Sequence, residues 1–198
     1  MIKEYAPLQS FPLKTGSTCA RPVQVLPEHV KLSDPAANVM TDLNKVSVIS
    51  VRANTSMDKA NAKMIRNGVR MLLVLDDNEQ LVGLLTATDV LGEKPMRFIN
   101  NMGGTHDDIM VRDIMSTLRE LEAMKIEDVQ HAKVGQIVAS LKKSHRQHAL
   151  VVAEGADGRQ TVCGLFSVTQ IARQLGAQLQ GFELAHTFAE IEAVIARS

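Results

Sequence analysis

The residues best suited to chemistry are Thr86 and Asp89, in the stretch Gly83-Leu84-Leu85-Thr86-Ala87-Thr88-Asp89. It closes an apolar run, Leu81 to Leu85, and opens an expected helix. A hydroxyl three positions before a carboxylate has two uses there. It fits a capping box, in which each side chain satisfies the other residue's backbone N–H. It also fits a ligand site. Free N–H groups and the positive end of a helix dipole favour phosphate, Thr86 adds a hydrogen bond, and Asp89 can accept from the two hydroxyls of a ribose edge. On these residues alone the cap is the simpler reading.

Other reactive side chains carry weaker signals. His145, Arg146 and His148, with Lys142 and Lys143, gather positive charge near a helix end, where cations suit the dipole. That accounts for the lysines better than for His148, which stands at a strand's start. His106-Asp107-Asp108 are metal-ligand types in a loop and read as solvated surface, so no metal is expected. Cys19 and Cys163 have no CxxC spacing, which favours reduced thiols and a cytoplasmic setting. Cys163 falls in an apolar stretch and reads as core rather than nucleophile. No G-x-S-x-G, Walker loop or H-E-x-x-H occurs, so no enzyme is expected.

The composition narrows the class. The chain has 198 residues, 45% hydrophobic, with a formal net charge of +0. That length holds one sizeable domain or two small ones. A neutral chain has no field to draw it onto nucleic acid or anionic membrane. Aromatic residues are only 3%, with no Trp, which removes the stacking platforms of single-strand binders. No stretch approaches a membrane span and no apolar leader opens the chain.

The elements that would position Thr86 and Asp89 follow from periodicity. Residues 1–34, with Pro7, Pro12, Pro22 and Pro27, form an extended arm. Phe11, Leu13, Val23, Val25 and Leu26 would let it pack on something, a second subunit included; a disordered tail is the alternative. Val46 to Val51 alternates like a strand. Thr55 and Asp58 form a capping box, and Met57, Ala60, Met64 and Ile65 one helical face that ends at Gly68. Met71–Leu75 and Leu81–Leu85 are hairpin partners across Asp76-Asp77-Asn78-Glu79. Residues 94–110 link two halves, with Gly103-Gly104 ending any helix that runs from Pro95. A weak strand over 124–129, a helix with Val134, Ile137, Val138 and Leu141 on one face, and a strand matching Ala149–Val152 to Met71–Val74 follow. On that matching the second hairpin is the longer one. Beyond Gly176, Leu184, Phe188, Ile191 and Ile195 keep helical spacing, for packing on the chain itself or on a partner.

The two halves repeat. Gly164-Leu165-Phe166-Ser167-Val168-Thr169-Gln170 echoes the first heptapeptide, and Asp113-Ile114-Met115-Ser116 echoes Asn38-Val39-Met40-Thr41. G-h-x-[ST] after a strand, twice, each preceded by V-M-T or I-M-S, resembles the cystathionine β-synthase (CBS) domain. Two in tandem make a Bateman module, here without a fused partner domain. The resemblance implies an α/β fold of two pseudo-symmetric β-α-β-β-α units packed as one module. The units would be CBS domain 1 at 35–93 and CBS domain 2 at 111–176, followed by a C-terminal amphipathic helix at 177–198.

The resemblance also implies a function. Such pairs hold adenosine compounds (AMP, ADP, ATP or S-adenosylmethionine) in clefts between the repeats. Carried over, Leu84, Thr86, Thr88 and Asp89 form one side of a first cleft, with Ile126, Arg146 and His148 opposite and the last two facing phosphate. A second, weaker cleft would use Ser47, Ile49, Arg70, Met71, Ser167 and Gln170. Gln170 stands where the family has its aspartate, and a neutral amide loses the charge-assisted pair. The expected protein is a regulatory sensor and a homodimer acting on an unknown partner. The rival is a structural dimerisation module without a ligand.

Overall fold

The computed structural model describes residues 9–17, 23–177 and 184–196. Cys19, part of the N-terminal arm and the start of the C-terminal segment lie outside the described residues, and at 184–186 only the backbone is described.

Two four-stranded sheets carry the chain. One has the order β2 (Ser50–Arg52), β3 (Met71–Leu75), β4 (Leu81–Thr86), β5 (Ser116–Thr117). The other has the order β1 (Thr41–Asp42), β8 (Gln160–Ser167), β7 (His148–Glu154), β6 (Ala123–Lys125). The register shows the internal symmetry. β2 runs parallel to β3 as β6 does to β7, and both hairpins are antiparallel. Met71 faces Thr86 as His148 faces Ser167. The ladders slip at matching places, Val74/Leu75 and Val151/Val152. The α/β fold of two pseudo-symmetric units expected from the sequence is therefore present.

This register corrects the matching of the repeats. Val74 pairs with Gly83 and Val151 with Gly164, so Ala149 corresponds to Leu72, not Met71. The second hairpin is longer than the sequence pattern implied. Apolar runs have no internal landmark, so their alignment slides by one residue until hydrogen bonds define it.

The two lead-in segments cross over. A 3₁₀ turn, Ala36–Val39, delivers β1 to the sheet built by β6, β7 and β8, where Thr41 pairs with Leu165. Helix α4 (Val111–Ile114) delivers β5 to the sheet of β2, β3 and β4, where Ser116 pairs with Leu84. The motif glycines explain why this works. A Cβ at Gly83 would sit 2.8 Å from Met115 Sδ and 2.6 Å from the Ser116 carbonyl oxygen. One at Gly164 would sit 2.7 Å from Met40 Sδ. Each methionine of a lead-in lies against the glycine of the other repeat.

Helices cover the sheets. α1 (Met57–Asn67) buries Met57, Ala60 and Met64 and stops at Gly68, which is left-handed at φ +63°. Ile65, expected on that buried face, is 73% exposed. The N-cap is Ser56 without a side-chain bond, rather than a Thr55–Asp58 box. Val46 to Ile49 is not strand; pairing begins at Ser50. In the second half, β6 ends at Lys125, and α5 (Ile126–His131) takes over the region expected as strand. α6 (Val134–Ser144) buries the four apolar residues expected of it.

Three apolar clusters result. Met57, Leu72, Val74, Leu85, Ile109 and Ile114 centre the first. Val39, Met40, Leu141, Phe166, Phe188 and Ile191 belong to the second, so α8 (Leu184–Ile195) packs on its own chain. The third joins the sheets through Leu73, Leu84 and Leu150. The arm is also anchored from Gln24 onward. Gln24 bonds both Met40 O and Asp42 N, and Val30 is buried. Phe11, Leu13, Val23 and Val25 stay exposed.

Candidate functional site

β4 ends at Thr86 and the chain turns into α2 (Ala87–Leu91), with Thr86 as N-cap. The capping box is present. Thr86 N and Oγ1 both donate to Asp89 Oδ2 at 2.7 Å, and Asp89 N donates to Thr86 Oγ1 at 3.2 Å. Ala87 N–H is also engaged, donating to Arg70 O at 2.9 Å. The helix is only five residues long. The free amides and strong dipole expected here are thus largely absent, because the cap and the neighbouring strand have taken the donors.

Asp89 is buried. Its Oδ1 lies 2.7 Å from Lys94 Nζ, at the start of α3 (Lys94–Met102). Lys94 Nζ also donates to Ile114 O at 3.0 Å and Ser116 Oγ at 3.4 Å. The motif's local pattern gave no sign of Lys94, since it lies beyond α2 and Gly92.

A cavity of about 730 Å³ opens beside these groups. Residues of both repeats line it. Leu84, Thr86, Thr88 and Asp89 come from the first, Arg146 and His148 from the second. Six of the seven residues expected in the first cleft therefore meet. Ile126 does not line it; α5 turns it onto the second core. Arg70, expected in the second cleft, lines this cavity, as do Gln147 and Glu122, which the sequence reading passed over. Arg70 and Gln147 are symmetry mates by register, and the sliding alignment of the repeats hid that.

The electrostatics are mixed. Arg70 and Arg146 are cationic, Asp89 and Glu122 anionic. Thr88 Oγ1 lies 3.3 Å from Gln147 Oε1, across the repeats. Arg146 donates to the Glu120 carbonyl. Burial pushes the His148 imidazole down to about 4; the Arg70 charge adds to this and the Asp89 charge opposes it. His148 is neutral at pH 7, so it meets a ligand as a hydrogen-bonding group and not as a cation.

The second heptapeptide is arranged differently. Ser167 caps α7 (Val168–Gln174) without a side-chain bond. Gln170 Oε1 accepts from Thr41 Oγ1 and Nε2 donates to Gln174 Oε1, both at 3.4 Å. Gln174, itself buried, donates to Pro27 O at 2.7 Å and Asn38 O at 3.0 Å. Ser47 is exposed, Ile49 packs on the first core, and Met71 packs between the sheets.

Two other features bear on chemistry. Asp58, His106 and Asp107 bring ligand atoms within 4.8 Å of one another, all on exposed residues. His106 Nδ1 and Asp58 Oδ1 are 3.7 Å apart. The loop histidine thus reaches a carboxylate on α1 that the sequence had placed in a cap. Cys163 is a free, half-buried thiol near Val151 O, and burial raises its pKa.

Residues 36–95 match the family described as CBS domain. No curated protein matches the chain at a significant level. Among solved structures, an uncharacterized conserved protein from Pyrococcus horikoshii is similar at 20% identity and a TM-score of 0.53, covering 77% of this chain and 100% of its own. A CBS-domain containing protein from Agrobacterium tumefaciens is similar at 14% identity and 0.52, covering 72% and 94%. A conserved CBS domain protein of unknown function from Thermoplasma acidophilum reaches 20% and 0.50, covering 79% and 77%.

Proposed function

We propose that this chain, whose residues 36–95 match the CBS domain family and whose fold is similar to that of CBS-domain proteins, is a CBS domain pair and a regulatory protein that binds an adenosine compound in the cleft beside Asp89. The observation that carries this reading is the cavity of about 730 Å³ shared by the two repeats. Its size falls within the range of about 300–1,000 Å³ common for small-molecule sites. A buried carboxylate on one wall suits ribose hydroxyls, and Arg70 and Arg146 suit a phosphate or carboxylate. The candidate effectors are AMP, ADP, ATP and S-adenosylmethionine. Occupancy would act on a partner or on the protein's own dimer. The role is one of binding rather than turnover, in a reducing cytoplasmic setting. Among the described residues no helix is long and apolar enough to cross a membrane.

The Gln170 cleft is the weaker of the two in this reading. Its amide is neutral and already spans Thr41 and Gln174. Calorimetric titration with AMP, ATP, adenosine and S-adenosylmethionine tests the proposal. Binding should fall about tenfold to a hundredfold in Asp89→Asn, a loss of about 1–3 kcal/mol. It should change little in Gln170→Ala. Arg146→Ala should weaken ATP more than adenosine. Binding by none of the four compounds would leave the scaffold reading.

A specific observation supports a homodimer as well. Ile65, Leu91, Met96 and Met102 are 60–74% exposed on α1, α2 and α3, which touch in succession. Apolar side chains on adjacent helices suit a second copy.

A further inference from the structure

Lys94 competes for the carboxylate on which the adenosine reading depends. Asp89 Oδ2 already holds both Thr86 bonds, and Oδ1 holds Lys94 at 2.7 Å. Thr86 thus fills both acceptor directions of Oδ2 and Lys94 one of the two on Oδ1, so a ribose edge donating two hydroxyls needs both directions of Oδ1. The Thr86 bonds belong to the backbone turn and cannot be given up without undoing the cap. The Lys94 bond can be given up. Its side chain is 40% exposed, so the ammonium has water to return to, while Asp89 is only 11% exposed at its side chain. Ile114 O and Ser116 Oγ, its other partners, can hold the released ammonium nearby.

The repeats make a second, independent comparison. Gln170 and Leu175 stand at the positions of Asp89 and Lys94 in the second half. The acid and its cation are replaced together, and Leu175 packs on the apolar core. The lysine thus accompanies the carboxylate rather than the fold.

Resting on the adenosine reading above, we propose that Lys94 is a displaceable internal cation. It holds Asp89 Oδ1 and gives way to a ligand hydroxyl, so it lowers and sets the affinity of the first cleft. Charge on the ligand plays no part in this exchange, and neutral adenosine is the right probe.

The experiment is calorimetric titration of the full chain with adenosine and AMP. Lys94→Met keeps the aliphatic stem and removes the charge. Adenosine should bind it about two- to fivefold tighter than the unmodified protein, the range that a half-exposed ion pair supports. Lys94→Arg should bind like the unmodified protein. In an Asp89→Asn background Lys94→Met should bring no gain. Thermal unfolding of each variant without ligand checks that it folds before it is titrated. Equal or weaker adenosine binding by Lys94→Met, or a gain that persists in Asp89→Asn, overturns the role of Lys94 alone. No binding of either compound by any of these proteins overturns the adenosine reading along with it.

Discussion

Asp89 serves the fold whatever the cleft beside it holds. It caps α2 through Thr86 and pairs with Lys94. Asp89→Ala should therefore cost stability even without ligand, about 1–3 kcal/mol from the lost bonds to Thr86. Thermal unfolding of Asp89→Ala and Asp89→Asn checks this, with Asn the milder change because it retains an acceptor. Of the two readings the sequence allowed for Thr86 and Asp89, the capping box is the one these bonds form. His148 gives a second expectation at this scale. Its folded pKa of about 4 lies below its ordinary 6.5, so the unfolded chain takes up that proton first as pH falls. Its contribution is full above pH 6.5 and is lost as pH falls toward 4, by about 3 kcal/mol at most. Urea midpoints at pH 7, 5.5 and 4.5 should fall more steeply in the unmodified protein than in His148→Gln. Parallel losses would assign the acid sensitivity elsewhere.

Among elements, the two motif glycines are more telling than the helices around them. Ala at Gly83 or Gly164 would press a methyl into Met115 or Met40. Each change should cost about 1–3 kcal/mol, seen as a lower urea midpoint. Gln174→Ala should cost a similar amount, since Pro27 O and Asn38 O lose their donor. The strands Met71–Leu75 and Leu81–Thr86, helix α6 and the stop at Gly68 were legible in the sequence because periodicity and turn residues agreed there. Val46 to Ile49 misled because β-branched alternation shows fitness for a strand, not the presence of a partner to pair with. The segment 124–129 misled the other way, since helix α5 needs only Val129 buried. At the candidate site, Thr86 and Asp89 were legible because they stand in the heptapeptide that the second half echoes, and Arg146 through the family resemblance. Arg70, Gln147 and Lys94 were not. Their placement depends on registers and side-chain reach that no local pattern encodes.

For the molecule as a whole, the apolar side chains exposed on α1, α2 and α3 predict self-association. Sedimentation should show a dimer at micromolar concentration. Ile65→Glu or Met96→Glu should shift it toward monomer, and a monomer throughout would refute the assignment. Removal of the arm through residue 34 takes away Gln24's bonds to Met40 O and Asp42 N and Val30 of the second core, and should lower stability.

The crossed lead-in segments reach further. β1 belongs in sequence to the first half and in space to the second, and β5 does the reverse. Covalent continuity through Gly103-Gly104 is therefore not what holds the halves in place. A protease cut there leaves two fragments that have each lent the other a strand and a methionine, and they should leave a sizing column together. Made as separate polypeptides, the same fragments should find each other and fold as a complementing pair, while either one alone is left with a strand edge and a glycine that nothing covers.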